Sequence, residues 1–189
     1  MKKLASFGLL VIFGLGYSQI TQSIVNKEKF EQSGFPYKGK RVLQVENILT
    51  TQEENLFVFS KNERGSTQDS LYIQQFKKQN DNWIITAEKV IAEEGIITSV
   101  WDMRKAFFDA DKDGIADVLF IYSKHPKDDL DTQLDVVLLL IYKNEFYTIG
   151  NTGEDNYNSE FDYYEAGIHS LPKAVQETVF DYWKKLDKS

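Results

Sequence analysis

Leu56-Phe57-Val58-Phe59-Ser60-Lys61-Asn62 and Leu119-Phe120-Ile121-Tyr122-Ser123-Lys124-His125 decide the fold. Each opens on Leu-Phe, carries Ser-Lys just before its last residue, and fills the middle with β-branched and aromatic residues, the composition of a buried strand. Leu119 lies 63 residues after Leu56, and at the same offset Trp83 falls on Phe146, each opening a strand after a polar turn. A repeat of that length, with room for four short strands, predicts a duplicated antiparallel sheet of the kind used as a propeller blade. Strand-like runs surround both copies: 42–49, 55–61, 71–77 and 83–90 in the first, 97–108, 117–123, 134–142 and 146–150 in the second. Turn residues separate them, as in Asn62 to Ser66, Asn80-Asp81-Asn82 and Lys143-Asn144-Glu145. Residues 136–141 are apolar throughout, which predicts a strand covered on both faces.

Two such units occupy about 41–92 and 96–150. They are preceded by a polar lead-in over 19–40, read as loosely ordered, and followed by an acidic and aromatic segment over 151–167. The chain then closes on an amphipathic helix over 170–187. Leu171, Val175, Val179, Trp183 and Leu186 recur on one face of it, Ser170 can cap it, and Pro172 suits the first turn. Two units are too few to close a propeller, so they are expected to pack face to face or side by side, with the helix over an open edge or face. The fold class is mainly β, in one domain over 41–189.

Composition agrees with a compact fold. The 189 residues are 42% hydrophobic and 27% charged, and 13 Phe, 10 Tyr and 3 Trp against 2 Met make the core aromatic. The net charge of −7 and the lack of clustered Lys and Arg in the sequence argue against a nucleic-acid partner. The absence of cysteine excludes disulfides, thiol catalysis and zinc sites built on thiolates.

Residues 1–18 read as a signal peptide. Lys2 and Lys3 precede an apolar run over 4–15, and small residues at Gly16 and Ser18 place cleavage before Gln19. The run is shorter than the ~20 residues a spanning helix needs, so no transmembrane segment is expected after cleavage. The expected location is the periplasm or the cell surface.

Asp109-Ala110-Asp111-Lys112-Asp113-Gly114-Ile115-Ala116-Asp117 carries the chemistry. Carboxylates stand at positions 1, 3, 5 and 9, and glycine at position 6 allows the sharp turn by which a short loop wraps calcium. Ile115 would add its carbonyl. Position 12 of an EF-hand loop would be Phe120, so the closing glutamate is missing, and both flanks read as strands. The first copy has Glu46, Ile48, Thr50 and Glu54 at the matching positions. Two readings stand: a structural calcium site at Asp109, Asp111, Asp113, Ile115 and Asp117, or a turn whose acids cap backbone N–H groups.

A weaker candidate is Tyr157, Tyr163, Tyr164 and Glu165, where rings could stack on a sugar and the carboxylate could accept from its hydroxyls. Paired carboxylates could also hydrolyse glycosides, but a chain with 29 acids always offers some pair. His125 and His169 belong to no catalytic spacing and read as surface or loop residues. No phosphate-binding loop, nucleophile elbow or dinucleotide fingerprint is present.

The strand–loop–strand from Phe107 to Tyr122 resembles the calcium loop of FG-GAP repeats in integrin-type propellers. The whole layout is similar to a family of small exported flavobacterial proteins assigned to surface-polysaccharide (lipopolysaccharide) biosynthesis. The resemblance rests on the signal end Tyr17 to Gln19, Phe107 to Tyr122, the run Asp135 to Leu140, and Leu171-Pro172-Lys173 with Trp183. It implies a role in assembling or presenting surface glycan. With the signal peptide, the duplicated units and the lack of a catalytic motif, the expected protein is a non-catalytic envelope accessory or recognition module, with surface glycan or an envelope protein as partner. The alternatives are a calcium-stabilised adhesion or protein-interaction module and a carboxylate-dependent glycan-active enzyme.

Overall fold

The computed structural model describes residues 20–153 and 161–186. The signal-peptide reading over 1–18 and the candidate Tyr157 lie outside the described residues.

The described residues form two five-stranded antiparallel sheets. The first runs β1 (Thr21–Ile24), β2 (Arg41–Leu49), β3 (Glu54–Lys61), β4 (Ser70–Gln79) and β5 (Asn82–Ala92), in sequence order across the sheet. The second holds β6 (Ile96–Phe108), β7 (Asp117–Pro126), β8 (Asp135–Tyr142), β9 (Glu145–Thr152) and β10 (Tyr163–Tyr164), also in order. The two four-stranded units are therefore present, each with one further edge strand.

Each sheet alternates between two cores. Phe57 and Phe59 of β3 point into a shared inter-sheet core with Phe120 and Tyr122 of β7, so the sheets pack face to face. The rings of Phe59 and Phe120 meet edge-on, with centroids 5.0 Å apart. Leu119 and Ile121 point the other way, and with Val136, Leu138 and Leu140 they meet α2 (Lys173–Lys184). The apolar run of β8 is thereby explained: odd positions face the partner sheet and even positions face the helix.

Val175, Val179 and Trp183, at four-residue spacing, are the buried stripe of α2. Its start differs from the sequence expectation. Ser170 ends a 3₁₀ turn (Ala166–Ser170), with its hydroxyl donating to the Gly167 carbonyl, and Pro172 takes the cap position without a side-chain bond. Gln176 reaches back instead, its Nε2 donating to the Leu171 carbonyl at 2.7 Å.

The lead-in is also corrected. Within 19–40, β1 pairs with β2, and α1 (Lys27–Gln32) is capped by Asn26, whose Oδ1 accepts from the Lys29 N–H. Phe30, Phe35 and Tyr37 cover the outer face of the first sheet against Val42, Val45, Leu56, Val58 and Phe76. The order comes from burying aromatics on a face that would otherwise be wet, which local propensity does not reveal.

Candidate functional site: an aspartate loop between the sheets

The loop between β6 and β7 turns because its own acids hold its backbone. Asp109 accepts from the N–H groups of Asp113 and Gly114, both at 3.0 Å, and Asp113 Oδ1 accepts from the Ile115 N–H at 2.9 Å. Lys112 and Gly114 lie in the left-handed region, with φ of 60° and 84°. Glycine takes that conformation without strain. A Cβ on Gly114 would also clash with the Gln52 side chain.

Carboxylate oxygens of Asp109, Asp111 and Asp113 all lie within 4.8 Å of one another, a cluster that could hold a metal ion. Backbone capping and metal-ready convergence therefore coexist, and the two sequence readings are not exclusive. Ile115 follows as a half-buried residue. Asp117 is not part of the converged trio: it is 1% exposed at the start of β7, with Oδ2 accepting a long 3.5 Å bond from the Ala110 N–H. Burial, reinforced by the charges of the other three aspartates, pushes its pKa up to about 8. Phe120, at the twelfth position, is a core residue of β7 and cannot be a ligand.

Three neighbours of the loop were invisible to sequence spacing. Gln52, on the β2–β3 turn of the other sheet, donates to the Asp113 carbonyl at 2.8 Å. Tyr142 donates to Asp111 Oδ2 at 2.8 Å. Lys143, on the β8–β9 turn, places its ammonium 2.8 Å from Asp113 Oδ2 and 3.3 Å from Asp111 Oδ2. Burial alone would raise the Asp111 pKa, but Tyr142 and Lys143 outweigh it and hold the carboxyl below its ordinary value. Asp111 Oδ1 nevertheless stays closed to solvent with no hydrogen-bond partner among the described residues. An unpaired buried carboxylate oxygen is costly, and a cation would satisfy it. The donor set, all hard oxygen, fits calcium better than a softer metal.

The aromatic segment divides. Tyr163 packs toward the inter-sheet core, with its hydroxyl against Gly150. Tyr164 is exposed and meets Phe161 and His169 edge-on. Adjacent strand residues face opposite ways, so the two tyrosines do not share one surface. Glu165 Oε1 accepts from the Thr148 hydroxyl and lies 3.6 Å from Lys89 Nζ.

His125 differs from its reading as a surface or loop residue. It is a half-buried residue of β7, with Nε2 2.8 Å from Ser123 Oγ and Nδ1 3.0 Å from the Thr132 carbonyl. The carbonyl can only accept, so Nδ1 carries a proton. Trp101 Nε1 also donates to Ser123 Oγ. Ser123 is 1% exposed, so the trio braces the bulged β6 against β7 without presenting a nucleophile to solvent. His169 is exposed in the 3₁₀ turn, as expected.

Fold and site thus define a two-sheet β protein with an acidic strand–loop–strand turn at one end of its core. Comparison with protein-family models, curated proteins and solved structures finds no match. No helix among the described residues is long and apolar enough to cross a membrane.

Proposed function

We propose that the protein is an exported, non-catalytic accessory module of the cell envelope in which the aspartate loop holds calcium as a structural clip between the two sheets. One observation carries the calcium reading: three carboxylates converge within 4.8 Å on a loop that the opposite sheet grips through Gln52. Asp109, Asp111 and Asp113 supply the charge. An ion there would displace or share the place of the Lys143 ammonium, which is exposed enough to swing away. Binding to the folded chain alone adds RT ln(1 + [L]/Kd) to stability. At a Kd of about 10⁻⁴–10⁻³ M, usual for extracellular calcium modules, millimolar calcium adds ~1 kcal/mol.

Thermal melting with millimolar calcium and with chelator tests this. The wild type should melt higher in calcium, and Asp113→Ala should lose most of that gain while still folding in chelator. A wild-type melting temperature indifferent to calcium would leave the loop a self-capped turn.

The glycan half of the reading is supported by the resemblance to exported surface-polysaccharide proteins. It proposes a role in assembling or presenting surface glycan through a glycan or envelope-protein contact. Deleting the gene should alter lipopolysaccharide or capsule on a gel. Unchanged glycan, together with a calcium-dependent melt, would favour the adhesion or protein-interaction module instead.

A further inference from the structure

The opposite end of the sandwich carries the opposite charge. β2 begins there at Arg41, β3 ends at Lys61, and β7 gives way to Lys127, while the Asp loop lies where β6 ends and β7 begins. Arg41, Lys61, Arg64 and Lys127 line a cleft of about 330 Å³, closed on one side by the β3–β4 turn. That volume falls at the small end of ligand sites, which run to about 300–1,000 Å³.

The two carboxylates on its wall, Glu63 and Asp69, do not cancel the four cations. Asp69 Oδ2 is occupied three ways: by Lys61 Nζ at 2.6 Å, and by the N–H and hydroxyl of Thr98 at 2.9 Å each. Lys61 also donates to the Thr98 carbonyl at 2.6 Å. This buried Lys61–Asp69–Thr98 lock joins the two sheets and forms a rigid, electrically balanced floor. Glu63 is exposed on the turn. Lys127 reaches the Thr67 carbonyl at 3.0 Å, and Arg64 projects from the exposed turn with no ion pair among the described residues.

Arg41 is the anomaly. Its Nε is shut from solvent and donates to no acceptor among the described residues. A buried guanidinium N–H without an acceptor is expensive, and no described carboxylate pairs with it. In a chain of net charge −7, a concave group of cations works against the prevailing field, and Arg41, which lines the cleft, is short of acceptors.

We propose that this cleft binds an oxyanion, a carboxylate or phosphate carried on a small ligand, with the half-buried Arg41 as the anchor and Arg64 and Lys127 at the rim. A guanidinium matches the geometry of both anions through paired N–H donors, which a lysine cannot reproduce. The site is independent of the calcium loop, since the two share no residue.

The test is an amide chemical-shift titration of the folded protein with sodium phosphate and, separately, sodium glucuronate, at constant ionic strength. Saturable shifts are expected at Arg41, along 61–69 and at Lys127. Arg41→Met keeps the packed stem and removes the guanidinium, and it should weaken binding by about tenfold or more. Should Arg41→Met fail to fold, Arg64→Ala with Lys127→Ala supplies the same comparison from exposed positions. Response to phosphate alone would identify a phosphate-bearing ligand, and response to glucuronate alone an acidic sugar. Absence of saturable shifts with either anion, or affinity unchanged by the variants, would overturn the proposal.

Discussion

Asp117 joins the aspartate loop to the core, and its burial gives the loop a pH signature. In an unfolded chain its carboxyl titrates at about 3.9; folded and without metal, desolvation first and the neighbouring aspartates second lift it to about 8. Between those values the native state keeps a proton that the unfolded state has lost. Stability must then fall as pH rises through that window and be flat below it. Asp117→Asn can still accept from the Ala110 N–H and removes the ionisation. In chelator, it should gain on the order of 1–4 kcal/mol over the wild type between pH 5 and pH 8. Urea melts of both proteins at the two pH values measure it, and parallel pH profiles would contradict the assignment. At this scale the sequence was legible for the acids of the loop and their spacing, three of which the structure brings together. It could not reveal Gln52, Tyr142 or Lys143: Gln52 comes from the β2–β3 turn and Tyr142-Lys143 from the end of β8 and its hairpin turn, and only strand pairing and sheet packing bring these places to the loop.

Among the elements, α2 was the most readable. Its stripe at 175, 179 and 183 is the buried face, and the structure adds what it covers: Leu119, Ile121, Val136, Leu138 and Leu140 of the second sheet. Val179→Ala should destabilise by about 1–3 kcal/mol, since the sheet beneath cannot collapse into the space left. Glu177→Ala, on the exposed side, should stay within about 0.5 kcal/mol. Chemical denaturation gives both numbers, and equal midpoints would mean the helix does not carry that core. The hairpins were legible for a similar reason. Asn80-Asp81 and Lys143-Asn144 both adopt positive φ at two successive residues, as the tight turns of right-twisted hairpins require. The constant offset, however, misleads after those turns. Trp83 pairs with Lys78 and Phe146 with Ile141, the same place in each hairpin. Yet Trp83 faces the outer cover and Phe146 the inter-sheet core. Leu56 pairs with Phe76 and Leu119 with Leu140, so β4 reaches its turn one residue later than β8. A one-residue slip reverses every side chain beyond it.

Over the whole molecule, the duplicated units meet through equivalent faces. Phe57 and Phe59 look across at Phe120 and Tyr122, their counterparts at the repeat offset. Such a pair buries itself and leaves each unit's outer face to be covered by whatever lies nearest in the chain. The N-terminal segment around Phe30 covers the first sheet, and α2 covers the second. Polar contacts then fix the registration of the sheets: Lys105 reaches the fully buried Glu46 at 2.7 Å, Lys61 holds the Thr98 carbonyl, and Gln52 holds the Asp loop. Glu46 occupies the first-copy position that matches Asp109, so the two copies use that place for different ends. The eight main strands, the repeat, the closing helix and the acidic turn could all be read along the chain. Apart from the repeat, read at its 63-residue offset, each of these is written in local periodicity, turn chemistry or spacing within a few residues. Only the tertiary structure decided which faces meet, that the lead-in is ordered, and that cations gather at Arg41 while carboxylates gather at Asp109. Those outcomes depend on contacts between residues far apart in the chain, where burial and desolvation act on neighbours that no local pattern names.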